Sequence, residues 1–151
     1  MSDSRARLHR VLLAAALAWI GAAWPQADTP AGLWTTFSDR TGLPESLVRI
    51  EQANGQFIGT VVQVLDPDAT SPRCERCEGE LRNKPIVGMR ILRGLRRTQG
   101  GFGEGTILDP DEGRIYACTA TPLDGGRRLE IRGYVGVPLL GRSQIWVRAG
   151  R

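Results

Sequence analysis

Three cysteines, Cys74, Cys77 and Cys118, carry the most reactive side chains in the sequence. Two of them stand close together as Cys74-Glu75-Arg76-Cys77, and three chemistries compete for that spacing. A structural zinc ion takes four ligands, and Cys118 could add only a third thiolate, so a carboxylate or a partner chain would have to complete the set. A thiol oxidoreductase pair of the thioredoxin type normally opens a helix within a βαβ unit. Here the pair lies in a polar segment, and the pull of Arg73 and Arg76 on thiol acidity is opposed by Glu75 and Glu78. A structural disulfide asks only that the two thiols meet. Loop-closure entropy gives about 2 kcal/mol for so small a ring and about 4 kcal/mol for pairing either cysteine with Cys118, so entropy does not select the close pair. Proximity selects it, and Cys118 is then a free, buried thiol in a strand.

The other chemistry-bearing residues point away from catalysis. The single histidine, His9, lies before an apolar run that reads as a leader, which leaves the mature chain without an imidazole for general-base work or metal binding. Hydrolase triads are excluded on that ground, and neither a Gly-x-Ser-x-Gly elbow nor a phosphate-cradling glycine loop occurs. Asp109, Asp111 and Glu112 cluster, but Pro110 and Gly113 beside them mark a hairpin turn in which aspartate serves turn geometry. Arg90, Arg93, Arg96 and Arg97 suggest a basic patch. Strand alternation sends Arg90 and Arg96 to one face and Arg93 and Arg97 to the other, which makes a solvated strand end. The expectation is a non-enzyme with no cofactor and no metal.

Residues 1–27 read as a cleavable secretory signal. Basic residues up to Arg10 precede an uncharged run from Val11, followed by the small residues Gly21, Ala22 and Ala23 and the helix-stopping Pro25. A membrane-spanning helix needs about 20 apolar residues, more than the distance from Arg10 to Asp28 supplies. No cysteine follows the run to be lipidated. The mature chain, residues 28–151, is therefore expected in the periplasm or secreted, and not membrane-spanning. The formal charge of +4 falls to +2 once Arg5, Arg7, Arg10 and Asp3 are set aside, too small and too dispersed an excess for a nucleic-acid partner. In an oxidising compartment the cysteines are free to pair.

These residues must be positioned by strands. The chain has 19 Gly and 9 Pro and lacks long helical patterns, and apolar segments recur about every ten residues between turn residues. Eight strands result: Gly32 to Asp39, Ser46 to Gln52, Gln56 to Leu65, a turn plus strand within Pro85 to Arg97, Phe102 to Leu108, Arg114 to Thr121, Arg127 to Tyr134, and Ser143 to Arg148. Asn54-Gly55 is a two-residue hairpin signal. The third strand carries Phe57, Gly59, Val61 and Leu65 on one face and Ile58, Val62 and Val64 on the other, so it is expected to be buried twice. Residues Asp66 to Lys84, with the paired cysteines, form the longest loop. Short connections allow only antiparallel neighbours, and closing eight of them into one up-and-down barrel removes both sheet edges. The fold class is thus all-β, one antiparallel barrel whose interior fits side chains or one small ligand.

Gly32-Leu33-Trp34 in the first strand and Trp146-Val147-Arg148 in the last resemble the lipocalin and calycin barrels. That resemblance implies that Arg148 packs over Trp34 at the closed end, as a barrel-closing pair. The mature chain as a whole resembles the bacterial family called domain of unknown function 2147. The matching stretches are Gly32-Leu33-Trp34, Cys74-x-x-Cys77 with Gly79, Lys84-Pro85-Ile86-Val87-Gly88, Gly105-Thr106-Ile107-Leu108-Asp109-Pro110, Arg132-Gly133-Tyr134-Val135-Gly136 and Leu140-Gly141-Arg142-Ser143-Gln144-x-Trp146. The resemblance implies an exported bacterial protein with a lipocalin-like barrel and no assigned reaction.

Three functions follow as expectations: a non-catalytic barrel binding a small apolar or amphipathic ligand, an interaction protein docking to an envelope partner through its cysteine loop or the Val135 to Arg142 loop, and a periplasmic thiol oxidoreductase using Cys74 and Cys77. An interior cavity of a few hundred Å³ would separate the first from the second.

Overall fold

The computed structural model describes residues 29–67 and 72–150; the expected leader lies outside them. Eight antiparallel strands close into one barrel in sequence order. They are β1 (Gly32–Phe37), β2 (Pro44–Ala53), β3 (Gln56–Val64), β4 (Arg90–Thr98), β5 (Gly101–Asp109), β6 (Arg114–Leu123), β7 (Arg128–Tyr134) and β8 (Arg142–Arg148). Closure is made where β1 meets β8, with Trp34 opposite Arg148 and Thr35 opposite Val147. No strand is left with an unpaired edge, which removes the usual route to edge-to-edge aggregation.

Strand ends follow local chemistry. Asn54 and Gly55 both have positive φ (51° and 74°), as the tight turn that matches the twist of β2 and β3 requires. Between β5 and β6, Oδ1 of Asp109 accepts hydrogen bonds from the backbone N–H groups of Asp111 (2.9 Å) and Glu112 (3.1 Å). The Asp109 carboxylate therefore builds the turn, while the Glu112 carboxylate accepts from the Tyr116 hydroxyl.

The up-and-down order sorts the connections by end. The turns β2–β3, β4–β5 and β6–β7 lie at one end with Gly32, here the closed end. The connections 38–43, 65–89, 110–113 and 135–141 lie at the other, here the mouth.

Two expectations about faces are corrected. β3 is not buried twice: Phe57, Gly59 and Val61 are buried, but Val62 on the outer face is exposed and Ile58 only half-buried. Leu65 follows the end of the strand. In β4, register shifts against β3 break strict alternation, so that Leu92 and Leu95, three residues apart, are both fully buried. Arg90, Arg93, Arg96 and Arg97 are all exposed, as in a solvated strand end, but they divide differently from strict alternation: Arg93 and Arg96 lie opposite Thr106 and Gly103, and Arg97 lies opposite inward Phe102, 4.8 Å from its ring centre. Irregular pairing of this kind leaves no mark in an alternation pattern.

Candidate functional site

The closed half of the barrel is a packed core. Trp34, Phe57, Leu95, Phe102, Leu129 and Trp146 turn inward and are almost wholly buried, and Phe57 meets Phe102 edge to face at 5.2 Å between ring centroids. The guanidinium of Arg148 lies 4.2 Å from the Trp34 ring centre. Its Nε donates to the Gly126 carbonyl (2.6 Å) and its Nη1 to the Ala31 carbonyl (3.0 Å). Nη2 is buried without a hydrogen-bond partner, and the aromatic face supplies the attraction that this nitrogen lacks elsewhere. Burial holds the Arg148 pKa below its ordinary value. Trp34 Nε1 donates to the Pro30 carbonyl (2.8 Å), so the chain entering β1 is fastened to the same cluster.

The mouth half differs. Pairing places Gly105 opposite Cys118, Ile107 opposite Tyr116, Cys118 opposite Gly133, Ile131 opposite Gln144 and Leu129 opposite Trp146. Inward positions thus run upward from buried Cys118 and Trp146 to Ile107, Tyr116 and Gln144, which are only half-buried. The partial exposure is confined to β5, β6 and β8: Leu92 opposite Ile107, Ile131 opposite Gln144, and Thr36, Ser46 and Val61 stay buried. Gly133 lies against Tyr116 and Ile107: a Cβ there would meet the Tyr116 Cβ at 3.6 Å and the Ile107 Cγ2 at 3.7 Å, ordinary contact distances. Thr36 and Ser46, both buried, pair their hydroxyls at 2.8 Å, and Gln144 bridges Trp146 Nε1 (3.2 Å) to Asp39 (2.8 Å). The wall is therefore mixed: Ile107 beside Tyr116, Gln144 and a paired Thr36–Ser46 hydroxyl couple.

Carboxylates ring the rim. Burial, followed by the charges of Asp111, Asp109, Asp39 and Asp66, pushes the Glu45 pKa above the usual carboxylate range. The fold thus favours protonated Glu45, and that contribution is fully present below the unfolded-state value and lost as pH rises through the raised one. Glu45→Gln is expected to be more stable than the parent at neutral pH and equal to it in acid, as urea unfolding at the two pH values will read.

Cys74 and Cys77 form a disulfide, and both are buried, at 0% and 3% exposure. Ile91 adjoins inward-facing Leu92 and is also buried, so the outer face of β4 is covered there. The covering segment is the β3–β4 connection, whose Leu81 and Ile86 pack on the core and whose Cys74 Sγ lies 3.3 Å from the Pro110 carbonyl. Cys118 is unpaired and buried, and burial pushes its thiol up to about 12. At pH 8 the thiolate is then on the order of one part in ten thousand. Iodoacetamide is expected to leave native Cys118 unlabelled and to label it quantitatively in denaturant, which intact-mass measurement will show.

Two hollows lie outside the barrel: an open groove of about 720 Å³ between Leu81, Lys84, Val87, Met89, Arg90 and Arg93, and one of about 280 Å³ between Arg76, Glu112 and Arg114. Among the described residues, no group of three or more His, Cys, Asp and Glu is placed to hold a metal ion. Sequence reasoning missed Glu45, Ile107, Tyr116 and Gln144. Their alternation with outward neighbours was a usable signal for the last three, whereas Glu45 depends on charges brought in from other loops.

No curated protein matches the chain. A solved structure does: protein HP1028 from the human pathogen Helicobacter pylori, described as belonging to the lipocalin family, superposes with a TM-score of 0.69 at 19% identity, covering 80% of this chain and 82% of that one. The likeness concerns the fold. A sequence profile of the family described as "Uncharacterized protein conserved in bacteria (DUF2147)" matches residues 32–148, from the glycine before Trp34 to the arginine that covers it, and the chain belongs to that family.

Proposed function

We propose that the protein is an exported, non-catalytic barrel that binds one small apolar or amphipathic molecule in the mouth half of its interior. The observation that carries this reading is the half-exposure of inward-facing Ile107, Tyr116 and Gln144 on β5, β6 and β8, above the buried Cys118 and Trp146. A wall that sets Ile107 beside Tyr116 and Gln144 suits a ligand with both apolar and polar parts. The packed closed half limits its depth, so the site is a shallow cup.

The lipocalin likeness of the fold is consistent with this use. Location in the periplasm or outside the cell belongs to the same proposal and is supported by the leader sequence. The buried disulfide favours a structural role for Cys74 and Cys77 over thiol exchange, because an exchanging sulfur must be reached by its substrate.

Titration with the apolar fluorophore N-phenyl-1-naphthylamine tests the site. Saturable one-to-one binding is expected in the parent and its loss in Gly133→Leu, whose side chain would fill the space between Ile107 and Tyr116. Equal binding by a folded Gly133→Leu would move the site elsewhere.

A further inference from the structure

Between Tyr134 and Arg142 the chain runs Val135-Gly-Val-Pro-Leu-Leu-Gly141, with no polar side chain. The segment projects from the mouth, and its exposed fractions are 75% for Val135, 52% for Val137, 85% for Leu139 and 79% for Leu140. Exposed aliphatic side chains gathered in this way call for a covering partner.

Much of the loop backbone is satisfied within the protein. Val137 N–H donates to the Val135 carbonyl (3.1 Å), Leu140 N–H to Val137 (3.2 Å) and Gly141 N–H to Pro138 (3.0 Å), while Pro138 has no N–H to satisfy. From below, Arg132 donates through Nε to the Pro138 carbonyl (2.6 Å) and through Nη2 to the Leu139 carbonyl (3.1 Å), and its Nη1 is held by Ser143 Oγ (3.0 Å). The carbonyls of residues 135, 137, 138 and 139 are thus all bonded within the protein. Hydrocarbon demands this internal satisfaction and water does not. The clamp also fixes the loop with its leucines outward, so little ordering is left for binding.

From this geometry we infer that loop 135–141 docks the protein on a phospholipid bilayer, its leucines entering the boundary between headgroups and acyl chains. A protein partner or a second copy fits less well, since stable interfaces take about 20–30 residues a side and this surface is one short loop. Four aliphatic side chains give weak, reversible attachment of the kind a single acyl chain provides. The loop itself carries no charge, and Arg142 next to it is paired with Asp39 at 2.8 Å, so apolar contact carries the attachment. The inference stands whether or not the barrel holds a ligand.

Flotation of the mature protein with vesicles of pure phosphatidylcholine, at about millimolar lipid, is the test. The parent is expected to float with the vesicles, and Leu139→Asp/Leu140→Asp to lose about tenfold or more in bound fraction. Gly133→Leu should float like the parent, which separates this result from failure of the ligand site. Leu139→Trp supplies a second readout independent of the aspartate variant's folding: its emission should shift to the blue when vesicles are added. A parent that stays with the soluble fraction overturns the inference, as does an aspartate variant that is folded and floats equally. A concentration-dependent dimer abolished by the same aspartates would overturn it in favour of a second copy.

Discussion

Replacing Trp34 by alanine is expected to lower stability by about 3–5 kcal/mol, the range for truncating a fully buried aromatic side chain. The site gives reason to expect the upper part. Trp34 is wholly buried, its ring is the face on which Arg148 rests, and its indole N–H ties residue 30 to the barrel. Removal opens a cavity at the closed end and leaves the Arg148 guanidinium buried with a second deficit in addition to the unpartnered Nη2. Trp34→Phe keeps a ring under the cation and loses the hydrogen bond, so it should fall between the parent and alanine. Thermal melts of the three proteins will check the order. An unchanged melting temperature for Trp34→Ala would remove Trp34 from the role of closing the barrel.

Gly113→Ala is expected to cost about 2–5 kcal/mol, although it adds one methyl group on a surface turn. Gly113 has φ 69°, where an L side chain costs about 1–2 kcal/mol. A Cβ there would also stand 2.7 Å from the Cys77 nitrogen and closer still to the Arg76 carbonyl. Backbone lies on both sides, so no side chain can swing away, and overpacking adds about 1–3 kcal/mol. The cysteine segment must lift from the β5–β6 turn. Gly136→Ala is the control: its φ is 79° and nothing lies within 4 Å of the added Cβ, so it carries the backbone strain alone. Chemical denaturation of both variants should show a clear gap between them, and equal losses would mean that the turn does not hold the cysteine segment.

Much of the fold was legible because each signal was local. The hairpin at Asn54-Gly55, the turn built by Asp109 and the eight-strand count rest on neighbours within a few residues, and strand order followed from short connections. Pairing of Cys74 with Cys77 also needs only nearby residues. What escaped was set by tertiary context. The register shifts in β4 that bury Leu92 and Leu95 together depend on how β3 and β4 curve into a barrel, which alternation cannot express. Val62 looked like core because it is apolar, yet what covers an outer face is decided by the β3–β4 connection, and that segment lies over β4. The half-exposed group of Ile107, Tyr116 and Gln144 arises only when the four strands β5 to β8 are in register.

A small molecule held in the mouth half will be visible in native mass spectrometry of the protein purified from the cells that make it. The spectrum should contain a protein mass raised by one small apolar molecule, which disappears on denaturation and is absent from Gly133→Leu prepared in the same way. A parent protein that carries no added mass, and that also fails to take up N-phenyl-1-naphthylamine, would contradict the account.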